Sequence, residues 1–466
     1  YTTLFRSPEF DMPGHSKSWF AGYPQLSASK DSSKALMSLH FNELGKLDLA
    51  KVMEYARTIP MPAMDPTKES TYDFIDRLIG EMSTIFPSAY FHIGADENNG
   101  VVWKNNPAIV AFMKANKISN THELQDYFVE RVQRLLVKHH KKMIAWEEAF
   151  SPEISKDVTL QVWQNPAYIK KGTDHENDVL ISQGFYLDWF FPAYIYYNNP
   201  NLRSIKDDSL SSKIKGGEAA QWTELADRRN IETRIWPRAA AVAEKLWSPA
   251  SVTDVDDMYR RLFLLNEQLD EQGLQNISDY ERSLRAISGD DFNSLKTFTD
   301  VLRPVPGLKK LFAQLARPAS LTYPPDPLVQ ISDIIPIDSK VKWTFRNAVK
   351  SYLENKDTTS EKIIRYYLKL WRMNDSNLTN AFSESSVLKT VQPLSKNLSE
   401  IATIGLEAMN EINKGTRFDD NQIEQKLMVL KNAAQSYGQA EINILPEVES
   451  LIRQKLIPLP ESYPMF

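Results

Sequence analysis

An α/β chain followed by a mainly α-helical region is what three features of this sequence predict. From Pro8 to about Trp247, short apolar runs alternate with amphipathic helical stretches. Each of those runs ends on acidic, polar or indole side chains. From about Ile331 onward the apolar positions recur at helical spacing. Repeated βα units with parallel strands build either a barrel or an open sheet. About six units are legible, where a complete (β/α)8 TIM barrel has eight.

Taken in order, Tyr1-Thr-Thr-Leu-Phe-Arg-Ser7 reads as the in-frame translation of a sequencing-adapter end, a non-native scar excluded from fold reasoning. Pro8 to Met12 is a candidate strand. Ser70 to Phe86 reads as a helix because Phe74, Ile75, Leu78, Ile79, Met82 and Ile85 fall at helical spacing. Ala89 to Gly94 is the next strand. Asn120 with Glu123 has the form of a capping box, opening a helix to about Lys138 with Leu124, Phe128, Val132, Leu135 and Leu136 on one face. Strands follow at Met143 to Trp146, Thr159 to Trp163 and Val179 to Ser182, with Phe185 to Leu187 near the last. Lys215 to Trp222 closes the series. Helices are expected from about Ile231 to Trp247 and from about Asp256 to Gln272.

Between Arg303 and Pro327, Pro304, Pro306, Pro318, Pro324, Pro325 and Pro327 mark a linker or irregular lead-in. Helical patterns then dominate at Val341 to Leu353, Ser360 to Met373, Ser395 to Asn413 and Asp420 to Tyr437, with Trp343, Tyr352, Tyr366, Tyr367 and Trp371 as their core. The expected division is residues 1–7 as scar, 8–285 as a partial TIM-barrel domain, 286–330 as a Pro-rich linker and 331–466 as a helical accessory domain.

Composition narrows the function. A net charge of −5 argues against a nucleic-acid binder, which presents a basic surface. With no cysteine, disulfides, thiolate metal sites and a Cys nucleophile are excluded. No apolar run reaches the length of a membrane span. His139-His140 sits on a basic helix end and His92 has no second His at ligand spacing, so neither metal nor cofactor is expected.

The most telling stretch is His92-Ile-Gly-Ala-Asp96-Glu97, where two adjacent carboxylates stand at the end of a strand. In a barrel of alternating strands and helices, that end is where chemistry is done. Glycosidic cleavage needs an acid to protonate the leaving oxygen and an anion to stabilise positive charge. The other strand ends carry Asp11 and His15 in Asp-Met-Pro-Gly-His, Trp146 with Glu147, Trp163 with Gln164, Tyr186 and Asp188 in Tyr-Leu-Asp, and Glu218, Trp222 and Glu224 in Gly-Gly-Glu-Ala-Ala-Gln-Trp-Thr-Glu. One such end is noise; a set in register makes a pocket lined with carboxylates and indoles.

Together these motifs resemble the family-20 β-N-acetylhexosaminidases over roughly Pro8 to Trp247, including Asn230-Ile-Glu-Thr-Arg-Ile-Trp-Pro-Arg-Ala-Ala-Ala. Ala95 stands where the family more often has Gly. The resemblance implies a TIM barrel lacking about its first two βα units. It also implies an exo-acting hydrolase that removes terminal β-linked N-acetylhexosamine, GlcNAc or GalNAc, from glycans, glycoproteins or chito-oligosaccharides. Catalysis would be retaining and substrate-assisted, through an oxazolinium intermediate. By the same resemblance Glu97 is the general acid/base, and Asp96 orients the 2-acetamido group. Tyr186 donates to the acetamide oxygen, and His15 belongs to a charge relay that tunes Glu97. Trp146, Trp163 and Trp222 wall the acetamide pocket, while Asp188 and Glu224 accept from sugar hydroxyls. Asp11, His92 and Glu218 are supports.

A strand-one Arg and an upstream Asp that the family uses have no counterpart in this chain, so the chain alone is expected to be inactive. Family habit implies a periplasmic or secreted enzyme. Two other readings stay open at this stage. One is a disaccharide-releasing lacto-N-biosidase of the same family. The other is a catalytically silent sugar-binding protein, which has no need for Asp96, Glu97 and Tyr186 together.

Overall fold

The computed structural model describes residues 7–29, 58, 60–200, 212–228, 230–315 and 330–460. Residues 1–6 of the expected scar, and Pro318, Pro324, Pro325 and Pro327 of the expected linker, lie outside the described residues. The chain forms two compact units. The first takes the chain up to Phe185 together with Pro200–Glu218; the second takes Tyr186–Asn199 and everything from Ala219 onward. The division differs from the expected boundary near residue 285, because the chain passes between the units at the ends of the last two barrel strands.

The first unit is built on a parallel sheet. Its strands are β1 (Tyr90–His92), β2 (Lys142–Trp146), β3 (Thr159–Val162), β4 (Asp178–Ile181) and β5 (Ile214–Gly217), adjacent in chain order. Pairing sets Tyr90 beside Lys142, Ile144 beside Thr159, and Thr159 beside Asp178. Between β4 and β5 the register shifts at Val179/Leu180. Pro8 to Met12 runs parallel to β1 as a sixth position: the N–H of Phe10 donates to the carbonyl of His92 at 3.0 Å, and that of Met12 to Ile93 at 2.9 Å. Strand order follows sequence order without the reversal of a doubly wound sheet, so the winding is that of a barrel. Every residue of β3 is buried, as expected of parallel strands covered on both faces.

Two long crossover helices behave as their patterns require. Glu69–Ile85 buries Tyr72, Ile75 and Ile79. Thr121–Lys138 buries Leu124, Phe128, Val132 and Leu136. The Asn120 side chain accepts from the N–H groups of His122 and Glu123 at 2.9 and 3.0 Å. The Glu123 carboxylate reaches the N–H of Ser119 rather than that of Asn120, so the cap closes one residue earlier than a standard capping box. Together with Phe91, Ile93, Met143, Ala145 and Leu160, these side chains apart from Leu124 form one core of the unit, while Leu124 packs with Val102, Trp103 and Ile109.

The second unit is helical. The expected Ile231 to Trp247 helix is two pieces, Ile231–Ile235 and Arg238–Trp247. The break falls at Pro237, which lacks the N–H a continuous helix needs. Much of the expected 286–330 linker is ordered structure. Phe292–Thr299 is a helix, and β6 (Leu302–Pro304) pairs antiparallel with β7 (Ala440–Ile442). Gly307–Leu315 is a further helix. Pro304 ends a two-stranded ribbon and Pro306 precedes a helix, positions that need no N–H from the residue. Leu295, Phe298, Val301 and Leu302 share one core with Phe345, Leu368, Trp371, Leu398 and Ile401.

Lys340–Asn355, Thr358–Asn377, Gln392–Lys414 and Asp420–Ala433 are the helices expected there, a few residues longer or shorter than read. Trp343, Tyr352 and Trp371 are buried as expected. Tyr367 stacks on Trp371 at 5.4 Å, whereas Tyr366 is 60% exposed and lies outside the core.

Candidate active site

The loop after β1 is held in a shape the sequence does not favour by itself. Gly94, Ala95 and Glu97 all have positive φ, at 71°, 74° and 48°, and so does His15 at 48°. Non-glycine residues in this region cost of order 1 kcal/mol each and gather at functional sites. At Gly94 a Cβ would lie 1.8 Å from the Asp11 carboxylate, so only glycine fits. Asp11 accepts the N–H of Ala95 at 3.3 Å, and the N–H of Gly94 donates to Nδ1 of His92 at 3.0 Å. Gln125 donates to the carbonyl of Ala95 at 2.8 Å and accepts from Asn98 at 3.0 Å. Asp11 and His92 are thus supports.

This frame delivers Asp96 and Glu97 to one histidine. Nε2 of His15 lies 3.5 Å from Asp96 and 3.3 Å from Glu97. Hydrogen bonds to Asp96 and then Glu97 outweigh the cost of burial and raise the imidazole to about 11, so it is an imidazolium between two carboxylates. Burial, then the charge of Asp96, pushes the Asp11 carboxyl up to about 9. The Asp96 side chain is 14% exposed and that of Glu97 is 45% exposed. Oδ1 of Asp96 is buried, and the protonated Asp11 carboxyl is hydrogen-bonded to the Asp96 carboxylate. Asp11, His15 and Asp96 are also the residues with metal-ligand potential, offering atoms within 4.8 Å of one another.

Beside these groups stand two indoles. Trp146 is buried, donates from Nε1 to Glu9 at 3.1 Å, and meets His92 and Trp163 edge-on at 5.0 and 6.3 Å. Trp163 is fixed by two carboxylates. Glu147 accepts the consecutive backbone N–H groups of Trp163, Gln164 and Asn165 at 2.5, 3.2 and 2.7 Å. Glu148 accepts from Nε1 of Trp163 at 3.3 and 3.2 Å. Glu218 accepts from Gln161 at 3.1 Å, which makes it a support of the strand ends.

Burial, then the charge of Glu147, raises Glu148 to about 8. Below its ordinary 4.5 this carboxyl is protonated in folded and unfolded chains alike. Between there and about 8 only the folded chain keeps the proton, so stability falls as pH rises through that window. Glu148→Gln is expected to raise the melting temperature at pH 8 relative to wild type and to leave it nearly unchanged at pH 4.5. An equal shift at both values in thermal melts would refute the assignment.

The remaining expected residues belong to the second unit. Tyr186 bridges to Ala220 in parallel, and the N–H of Leu187 donates to the Ala220 carbonyl at 2.8 Å. The Asp188 carboxylate accepts from the N–H of Trp222 at 2.6 Å, the N–H of Thr223 at 3.1 Å and the Gln221 amide. Thr223 has φ of 72°. Burial raises the Asp188 carboxyl, against these donors. Three of its roughly four acceptor positions are therefore used to hold the Trp222 segment, a role sequence reading did not assign. Trp222 is 44% exposed, and Glu224 follows it on the same exposed segment. Sequence reading also missed Glu9, Gln125 and Glu148. Glu9 had a signal, since it lies two residues before Asp11 and shares its face of an extended segment.

Residues 7–250 match the family described as glycosyl hydrolase family 20, catalytic domain. The chain is 31% identical over 264 residues to the beta-hexosaminidase subunit beta of Mus musculus, covering 55% of this chain and 45% of that protein. It is 31% identical over 247 residues to beta-hexosaminidase 3 of Arabidopsis thaliana, covering 52% and 41%. The chain thus spans about half the length of the curated relatives it matches. The structure of the chitobiase of Flavobacterium johnsoniae superposes with a TM-score of 0.79 at 27% identity, covering 96% of this chain and 65% of that one. The likeness therefore extends through the helical region. With the Asp96-Glu97 loop and the Trp222 segment both inside the matched residues, the chain belongs to glycosyl hydrolase family 20.

Proposed function

We propose that the protein is an exo-acting β-N-acetylhexosaminidase that removes a terminal N-acetylhexosamine from glycans or chito-oligosaccharides with retention at the anomeric carbon. The observation that carries this reading is the pair of adjacent acidic side chains at a strand end, both within reach of the His15 imidazolium. A protein nucleophile would need a second carboxylate about 5–5.5 Å away across the sugar ring. Neighbouring residues on one loop do not flank both faces of a ring. In line with what the family resemblance implies, the nucleophile in this reading is the substrate's own acetamide oxygen.

Glu97, in its carboxylic-acid form, donates a proton to the glycosidic oxygen as the acetamide oxygen attacks the anomeric carbon, which gives a cyclic oxazolinium ion and releases the aglycone. Asp96 accepts the acetamide N–H and balances the positive charge. Glu97, now ionised, takes a proton from the water that opens the ring. Tyr186 donates to the acetamide oxygen. Trp146, Trp163 and Trp222 supply the apolar walls, and Glu224 binds sugar hydroxyls. Asp188 holds Trp222 in place and has one acceptor position left for the sugar. The relatives named beta-hexosaminidase and chitobiase support this substrate class. Action outside the cytoplasm belongs to the same reading; among the described residues no helix is long and apolar enough to cross a membrane.

The test compares an aryl N-acetyl-β-glucosaminide with its N-deacetylated counterpart on the full-length protein. Only the acetylated substrate is expected to turn over, by a margin of at least about 10²-fold. Equal turnover would mean a protein nucleophile and would overturn the role given to Asp96.

A further inference from the structure

Arg238 is 1% exposed and opens the helix Arg238–Trp247. Its guanidinium has no acidic partner at ion-pair distance among the described residues and is spent on the backbone. Nη1 donates to the carbonyl of Phe191 at 3.2 Å and to the Tyr196 hydroxyl at 3.0 Å. Nη2 donates to the carbonyl of Leu187 at 3.0 Å and to that of Arg234. The Tyr196 hydroxyl in turn donates to the carbonyl of Tyr186 at 2.9 Å. The carbonyls of residues 186, 187 and 191 thus all end, directly or through one phenol, on a single buried cation.

The segment these bonds hold is not held by local preference. Phe190 has φ of 58°, which an aromatic residue rarely adopts. Arg234 adds a second clamp: its guanidinium lies over the Phe190 ring at 4.6 Å and donates to the carbonyls of Ser332 and Asp333 at 3.0 and 2.8 Å. Gly307 packs directly on the Asp188 carbonyl, where a Cβ would lie at 1.9 Å. The Asp188 side chain then carries the position onward to Trp222 and Thr223.

Burying a charge without a counter-ion is costly, and packed apolar residues would serve stability as well or better. What the guanidinium supplies is direction: a rigid planar fork meets several carbonyls at fixed angles, which a lysine does not.

We propose that Arg238, with Tyr196 as its relay, is a positioning residue that sets where the Tyr186 hydroxyl presents itself to substrate. The proposal rests on the reading of Tyr186 as a group that contacts the acetamide.

The experiment is a double-mutant cycle on the full-length protein, with kcat, KM and melting temperature read for Tyr186→Phe, Tyr196→Phe, both together, and Arg238→Lys. Tyr196→Phe keeps the ring and removes only the relay, so it reports even if Arg238→Lys does not fold. Tyr196→Phe is expected to lower kcat by about ten- to a hundredfold and to change KM by less than about twofold. In the Tyr186→Phe background the same change is expected to have almost no further effect on kcat, because its route is already cut. Wild-type kcat in Tyr196→Phe with kcat lost in Tyr186→Phe overturns the proposal and leaves the Tyr186 assignment standing. Full additive loss in the double variant also overturns it, since Tyr196 would then act by another route. Wild-type kcat in Tyr186→Phe overturns the Tyr186 assignment itself, and the proposal with it.

Discussion

Glu97→Gln is expected to lower kcat by about 10²- to 10⁴-fold on a chito-oligosaccharide, with the melting temperature unchanged. The size follows from the chemistry. An alkoxide is a poor leaving group, and the amide of glutamine has no proton to give at that point in the reaction. Stability is spared because the Glu97 side chain is 45% exposed and its contact is with the half-exposed His15; exposed substitutions away from packed features shift stability by about 0.5 kcal/mol or less. An aryl glycoside with a strongly acidic phenol needs little protonation, so its formation of the intermediate is expected to suffer much less than that of the oligosaccharide. Steady-state kinetics on both substrates checks this. A uniform loss across leaving groups would place Glu97 outside the proton transfer.

Asp96→Asn is the second large effect. It is expected to lower kcat by about 10²- to 10³-fold, and it acts on a different atom. The carboxylate faces the imidazolium with Oδ2. In the proposed reaction an asparagine keeps the shape but lacks the negative charge that would balance the oxazolinium ion, and it can turn an NH2 toward the acetamide N–H. The loss is therefore expected to be insensitive to the leaving group, unlike that of Glu97→Gln. Comparing the two variants on the same pair of substrates separates the roles. If the leaving-group dependence is the same in both, the division of labour between the two carboxylates fails.

Much of this fold was legible because parallel strands covered on both faces write themselves as continuous apolar runs. Met143 to Trp146 is such a run and is a strand, whereas Thr159 to Val162 carries Thr159 and Gln161 and is nonetheless a strand buried throughout. The helices with a clean buried stripe, such as Thr121–Lys138, were legible for the same reason. Legibility failed where a residue's meaning is set by a neighbour distant in sequence. Prolines at 304 and 306 punctuate the chain, yet Leu302 is fully buried because Ile442 pairs with it. Tyr366 and Tyr367 are alike in pattern, but it is Tyr367 that stacks on the Trp371 ring, while Tyr366 turns outward.

The site divides along the same line. Asp96, Glu97 and His15 stood out because short motifs carry them. The work of Asp188 did not, because its donors come from Gln221 to Thr223, more than thirty residues away. Glu148 was hidden for another reason: only the structure shows that the indole nitrogen of Trp163 turns to it rather than to water.

The placement of His15 has one more consequence. A histidine near two carboxylates is the natural suspect for a pH switch, because its free imidazole changes charge between about pH 5 and 8. Here its proton is held to about 11, and the Asp11 proton to about 9. Across that whole span the two groups are silent: one stays a cation, the other stays neutral. In the proposed reaction these two fixed protonation states are the electrostatic setting in which Glu97 exchanges its proton.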